Sequence, residues 1–450
     1  MTSTFRQLRY IPLFIMGFST SYNAAAQTST SPELLDILVE KQILTESQAE
    51  EIRQAEKERR SVNNAVVDIG SGGLKVKSAD GRSSFQFGGR LHADAAVHDH
   101  EELAGQQDGI DGTQIRRARL YAKGDIGKQW SYLIEADFAG NKTSLKDATL
   151  GYHFSGLPLT VTVGNQKQAV SMEIEESSND IPFIERSLVA GITTPYFDRA
   201  IGITAASGGD NWHFKTGLFG DGVSDGDADE GTGFGLRATY APIVSRTSLL
   251  HVGGSFGLRN TSDDGLANGK SPGFSYKTTN FSDLKPVSAS IADMEQVQTG
   301  VFELAAMCGP WTFQSEYAVT DVSRETGDDL SFSAYYAQVA YLINGQRRYK
   351  ASEGEFKYPS INADFNPEQG HWGAVELAAR LDHIDLEDGD ISGGEADRVT
   401  LALNWYLNRN VRMMLDYSHS YELKGGALQN VNGELADDID TYAMRVQLSF

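Results

Sequence analysis

An all-β membrane protein, a 16-stranded antiparallel transmembrane β-barrel with a short N-terminal helical, coiled-coil-like extension, is the fold class that three features of this sequence predict. After Gly73, apolar and polar residues alternate with a period of two in segments of nine to thirteen residues. The links between those segments are alternately long and short. The last segment, "TYAMRVQLSF", puts Tyr442, Met444, Val446, Leu448 and the terminal Phe450 on one face. A soluble sandwich also alternates, but it has no reason to sort its links by length. A spanning barrel does, with tight turns at one end and long loops at the other.

The chain opens with Arg6 and Arg9, then the apolar "YIPLFIMGFS", then "NAAAQ", which offers a cleavage site after Ala26. This is the layout of a secretory signal peptide over residues 1–26. Residues 27–67 read as a helical segment on the periplasmic side. Ser31 is an N-cap, Pro32 stands at the first helical position, and Leu34, Ile37, Leu38 and Lys41 form a narrow stripe. Thr45 and Gln48 form a capping box at a second start. The continuation "AEEIRQAEKERR" is nearly all polar, so it associates with copies of itself, meets the peptidoglycan, or serves as a spacer. "DIGSGG" (68–73) reads as a joint leading into a barrel over 68–450.

Sixteen alternating segments lie near 84–97, 113–124, 130–140, 145–153, 158–167, 199–207, 210–220, 232–241, 248–259, 297–308, 311–321, 331–343, 372–383, 397–407, 411–421 and 438–450. In "GRLHADAAVHD", Leu91, Ala93, Ala95 and Val97 oppose Arg90, His92, Asp94 and His98. The one link that breaks the length rule is 344–371, long where a short turn is expected. A closing strand that ends on an aromatic is similar to the last strand of outer-membrane barrels, where it is read by the barrel-assembly machinery. Lipid and lipopolysaccharide of a Gram-negative outer membrane are then the surroundings.

Composition narrows the function. The formal net charge of −22 leaves no basic face for nucleic acid. Sixteen strands enclose a water channel rather than a filled interior. Its inward parity carries basic residues, Arg90, Arg117, Arg119, Lys123, Lys215, Arg237, Arg259, Arg380, Arg398, Arg412 and Arg445. The same parity carries the acids Asp94, Glu135, Asp137, Asp147, Glu303, Glu316, Glu376, Asp382 and Asp416. The third long link, 168–198, corresponds to the loop that folds inward in such channels and faces the permeating ion. It holds Glu173, Glu175, Glu176, Asp180, Glu185 and Asp198 against Arg186, a net of −5. "IPFI" (181–184) supplies apolar side chains to pin the loop to the wall.

Around this loop, "GNQKQAVSMEIEESSNDIPFIERSL" and "FDRAIGI" resemble the porins of the phosphate-selective O/P type. The resemblance is carried by Gly164, Lys167, Glu173, Ser177, Ser178, Ile184, Glu185, Arg186, Ser187, Leu188, Arg199 and Gly202, and extends through "FGGRL", "RRAR", "YYAQVAY", "GAVEL" and "LNWY" over roughly 73–450. It implies a trimer of sixteen-stranded barrels that pass small anions, and it includes the long link 344–371. Two lysines that hold the anion in phosphate-selective members are replaced here by Ile174 and Asn179. The loop's acids would then repel phosphate, so weak or cation-leaning selectivity is expected. Arg90, Arg116, Arg117, Arg186 and Arg199 survive as a basic track that favours the alternative, a phosphate or polyphosphate channel.

Other chemistry is weaker. "HDHEE" (98–102) has metal-ligand residue types but suits a solvated loop, and "DGDADEG" (225–231) lacks the turn glycine and final acid of a calcium loop. Cys308 is the sole cysteine. No catalytic set, cofactor or metal is expected. A tether that grips the cell wall through its helical segment is the reading from another functional class.

Overall fold

The computed structural model describes residues 32–450 apart from 42, 64, 71, 105–110, 224–229, 262–272, 281 and 437. The expected signal peptide, the Ser31 cap and most of "DGDADEG" lie outside the described residues. The chain forms two units, divided between Asn64 and Ala65.

The first unit is a pair of helices, α1 (Pro32–Glu40) and α2 (Glu46–Asn63). The capping box at Thr45 forms: its N–H donates to Gln48 Oε1 at 3.0 Å, and the Gln48 N–H returns to Thr45 Oγ1 at 3.3 Å. Arg53 of α2 pairs with Asp36 of α1 at 2.5 Å. Leu35 and Ala49 are the buried positions among the described residues of this unit, while Ile37, expected on the apolar stripe, is exposed.

The second unit begins with a short hairpin, β1 (Val66–Gly70) and β2 (Gly73–Lys77). The "DIGSGG" stretch expected to be a joint is thus the end of one strand and the turn into the next. Val66, Val67 and Ile69 are β-branched and suit an extended, paired strand. Strand β2 adds onto the lower end of β3 (Ser84–His100).

The barrel continues through β4 (Gly112–Ile126), β5 (Trp130–Asp137), β6 (Ser144–His153), β7 (Leu159–Lys167), β8 (Arg199–Gly208), β9 (Trp212–Phe219), β10 (Thr232–Val244) and β11 (Ser248–Asn260). Two short strands in the next loop, β12 (Phe274–Ser275) and β13 (Ser288–Ala289), pair only with each other. The wall resumes with β14 (Met294–Cys308), β15 (Trp311–Arg324) and β16 (Leu330–Ile343). The link that broke the length rule is itself a hairpin, β17 (Gly345–Lys350) and β18 (Glu355–Ile361). Strands β19 (Ala374–Asp388), β20 (Ile391–Tyr406), β21 (Val411–Lys424) and β22 (Ile439–Ser449) complete the wall.

Strand β22 pairs with β3 in antiparallel register, Met444 opposite Ala95, and closes the sixteen-stranded barrel. Phe450 seals the seam: its N–H bonds the Gly89 carbonyl at 3.0 Å, and Gly89 returns the bond at 2.7 Å. A Cβ on Gly88 would stand 2.4 Å from the Phe450 carbonyl oxygen, so the paired glycines of "FGGRL" give the chain end its seat. Closure leaves no open edge in lipid. Outward positions such as Leu91, Val97, Leu120, Ile134, Leu377, Leu401 and Met444 are exposed and apolar. Aromatic pairs mark the short-link rim, among them Trp130 with Tyr152 and Trp311 with Tyr341.

The wall is uneven. Strands β5–β9 have eight to ten residues, while β14–β16 and β19–β21 have fourteen to sixteen. Three segments lie inside. Loop 168–198 carries α3 (Met172–Glu175) and α4 (Val189–Phe197). Ile192, Tyr196 and Phe197 of α4 join Phe274, Leu284, Val287 and Ile291 from the loop between β11 and β14 in one apolar core with inward residues of the long strands. From the other end, the β17–β18 hairpin reaches across to β10, where Arg237 donates to the carbonyls of Glu353 (3.2 Å) and Gly354 (2.7 Å).

Candidate functional site: the open lumen

A chain segment folded inside a barrel must find partners for its backbone N–H and C=O groups. Loop 168–198 takes them from inward side chains of the long strands. Glu316 of β15 accepts the N–H groups of Met172 (2.7 Å) and Glu173 (3.1 Å), Asp382 of β19 accepts Leu188 (3.0 Å), and Asp416 of β21 accepts Ile184 (2.8 Å). The carbonyls are met by cations: Arg380 reaches those of Glu185 and Arg186, Arg398 that of Arg186, Arg412 that of Ile181 and Arg445 that of Ile184. Phe183 seats the turn, with the Arg380 guanidinium 4.3 Å above its ring and Ala340, Ala378 and Ala402 around it.

This arrangement separates two kinds of inward charge that strand parity alone treats alike. Arg237, Arg380, Asp94, Glu376 and Asp382, all read from the sequence as lumen-lining, are covered, none more than 7% exposed. Arg237 holds Glu303 with two bonds of 2.8 Å beneath the hairpin. Arg380 and Arg398 share Asp382, Arg445 holds Asp94 at 2.7 Å, and Glu376 pairs with Arg347 of the hairpin. Parity reports which way a side chain points and not what lies on top of it.

The open space is a cavity of about 1220 Å³. Its outer wall is formed by β3 to β8, with Arg90, Arg117, Arg119, Lys123, Glu135, Asp147, Lys167 and Arg199. Its inner wall is the loop, with Glu175, Ser177, Ser178, Asn179, Asp180, Glu185 and Arg186, and the hairpin adds Arg348, Lys350, Glu353, Glu355 and Lys357. Arg116 joins this lining because β3 and β4 slip register after His92, leaving Arg116 as the extra residue of a bulge. It bonds Glu185 at 3.1 Å. Below the loop's departure, Gly164 adopts φ +121° opposite Gly202, and a Cβ there would lie 2.0 Å from the Ala148 carbonyl oxygen.

The loop's acids are largely engaged. Glu173 is buried and accepts the Ser187 N–H and hydroxyl, the latter at 2.6 Å. Glu175 pairs with Lys215 at 3.1 Å. Burial works against a charge on Glu185, yet Arg116, Arg445 and Arg117 outweigh it and hold the carboxyl down at about 2. Glu176 is buried, accepting Phe356 N–H at 3.0 Å, and burial together with Glu355 pushes it up to about 8. Burial also raises Asp180, against the pull of Lys357 and Arg347.

The cations divide differently. Arg90 and Arg119 share Glu135 (2.7 and 2.9 Å), Arg119 also takes Asp137 at 2.7 Å, and Arg199 takes Asp147 and Asp198. Arg186 donates to the Glu176 carbonyl at 2.9 Å, and Lys167 to those of Glu175 and Glu176. Arg117 has no carboxylate within ion-pair distance among the described residues and a buried Nε without a hydrogen-bond partner. Lining cations number eleven against eight acids. The hairpin's charges were missing from the expected lining, and their signal was the alternating "QRRYK" and "EFKYPSI" inside the overlong link.

The sequence profile described as phosphate-selective porin O and P matches residues 85–450. Porin O of Pseudomonas aeruginosa is 26% identical over 418 residues, covering 86% of this chain and 92% of its own. An uncharacterized protein of Caulobacter vibrioides is 28% identical over 386 residues, 82% of this chain and 75% of its own. Among solved structures, the anion-selective porin from Comamonas acidovorans matches with a TM-score of 0.52 at 13% identity, over 82% of this chain and 100% of its own. OmpT of Vibrio cholerae matches with 0.52 at 11%, over 82% and 98%. At those identities the likeness is one of fold. A closed sixteen-stranded barrel with an open polar lumen is an outer-membrane channel of a Gram-negative cell, and this chain belongs to the phosphate-selective porin O and P family.

Proposed function

We propose that the protein is a passive diffusion channel with a preference for small anions, constricted where loop 168–198 faces strands β3–β8. The observation that carries this reading is the unequal engagement of charge in the lumen. The loop's Glu173, Glu175 and Glu185 are held by partners and Glu176 is buried with a raised pKa, whereas Arg117, Arg186, Lys123 and Lys167 have no carboxylate within ion-pair distance among the described residues. Uncompensated cations in a narrow, low-dielectric passage raise the local concentration of anions. The family name and the anion-selective porin from Comamonas acidovorans support the same direction.

Weak or cation-leaning selectivity is the second reading. It is favoured by Asp180, which lines the cavity, and by Ile174 and Asn179 at the two places where anion-holding lysines are expected. Reversal potential in a planar bilayer under a potassium chloride gradient separates the two. Anion preference that falls in Arg117→Gln, with block by added phosphate, supports the first. Cation preference removed by Glu175→Gln, Glu176→Gln and Asp180→Asn together supports the second and overturns the first.

The assembly we infer is a homotrimer; OmpT of Vibrio cholerae is known in a trimer form. Residues 27–67 stand on the periplasmic side, where the helix pair associates with its copies or meets peptidoglycan. The barrel itself is the channel. Deleting residues 27–68 tests this: a tether would lose its envelope phenotype, while the channel would still conduct.

A further inference from the structure

Loop 168–198 and the β17–β18 hairpin enter the barrel from opposite ends and meet inside it. Phe356 N–H donates to Glu176 Oε1 at 3.0 Å, and Arg347 Nη1 to the Asp180 carbonyl at 2.8 Å. Beside these bonds lies a small cavity of about 20 Å³, bordered by Glu176, Asp180, Gln314, Arg347 and Phe356. That is room for a single water at a polar, incompletely packed contact.

We propose that this contact is a latch between the two lumen segments, strong while Glu176 is protonated and weakened when it ionises, so that pH regulates the width of the passage. The inference rests on the channel reading.

What faces Glu176 makes it the sensitive group. Its own loop presents Glu173, and β15 presents Glu316, which the Tyr336 hydroxyl of β16 bonds at 2.9 Å. The hairpin presents Glu355. The nearby cations do not neutralise the carboxyl. Lys167 of β7 and Arg186 donate to the Glu176 carbonyl instead, Lys357 is held by Glu353 and Glu355, and Arg347 by Glu376. Gln314 of β15 supplies one long bond to the second oxygen, 3.4 Å. An ionised Glu176 would therefore meet like charges on three sides within the contact.

The direction follows from linkage. Burial first, and Glu355 next, raise Glu176 in the closed contact from 4.5 to about 8. Released from the hairpin, it returns towards its ordinary value. Closure is favoured most at or below 4.5, weakens as pH rises from there to about 8, and weakens no further above it.

The test is single-channel conductance of the full chain in potassium chloride from about pH 5 to about pH 9. Wild type should show conductance rising across this window and levelling near its alkaline end. Glu176→Gln should hold the acid-side conductance at every pH, and Glu355→Gln should show a smaller rise, because one of the opposing charges is gone. A flat wild-type profile, or an unchanged rise in Glu176→Gln, overturns the latch alone. No conductance at any pH overturns the channel reading and the latch with it. Heat-modifiable migration of each variant reports that the barrel is intact.

Discussion

The two arcs of this barrel wall are built on one alternating pattern and do opposite things. The short-strand arc, β5–β9, and the neighbouring faces of β3 and β4 border the open cavity with inward charges such as Arg119, Lys123, Asp147 and Arg199. On the long-strand arc, β14–β22, the inward charges are roofed by the loop and the hairpin. Arg119 and Arg380 have the same parity and both pair with aspartate, yet one edges a cavity of about 1220 Å³ and the other is 2% exposed beneath a loop backbone. The comparison teaches that inward charge has two uses in a wide barrel. It lines a passage, or it supplies hydrogen-bond partners to a chain segment that water no longer reaches.

Substitutions on the two arcs should behave differently. The largest effect belongs to the roofed arc. Glu303→Ala leaves Arg237 as a buried, unpaired charge, and should destabilise the barrel by about 3–5 kcal/mol, measured by denaturant-driven unfolding in detergent. Phe183→Ala comes next. It removes the ring that seats the loop against Ala340, Ala378 and Ala402, costs about 3 kcal/mol, and should widen the pore, seen as higher single-channel conductance.

The third prediction is a pH effect. Glu185 is held at about 2 in the folded loop against an ordinary 4.5, so its anchoring of the loop is complete above 4.5 and is lost as pH falls towards about 2. Protease susceptibility of the loop should rise in that interval in wild type, and Glu185→Gln should show no such step. The smallest structural effect belongs to the open arc. Lys123→Gln, at an exposed lumen position, should change stability by no more than about 0.5 kcal/mol while moving the reversal potential towards cations. If it destabilised the barrel as much as Glu303→Ala, the division into two arcs would fail.

Much of this was legible in the residues. All sixteen wall strands fall where alternation puts them, from "GRLHADAAVHD" in β3 to "TYAMRVQLSF" in β22, because a period of two is a local property of a strand. The link 344–371 announced itself by its length, but nothing local said that it would turn inward and reach Arg237 on the far wall. The family resemblance put Arg116 in the basic track, but strand parity did not turn it inward, since a bulge shifts parity without a sequence mark beyond the repeated arginine. The loop's net of −5 was legible too. Its consequence was not, because Glu175, Glu176 and Glu185 meet partners from strands or a hairpin distant along the chain.

Residue order alone was enough for the strands, for most of their inward and outward faces, for the closing strand that ends at Phe450 and for the family. Each of these follows from residue order within a strand's length, or from a spacing that survives as a motif. Only the tertiary structure decided which charges meet water. That depends on two inserted segments closing over half of the wall, and so on hydrogen bonds such as Arg380 to the Glu185 carbonyl, 195 residues apart. Burial of that kind sets the local dielectric, and with it whether a carboxylate acts as a filter, a buttress or, at Glu176, a group poised near neutral pH.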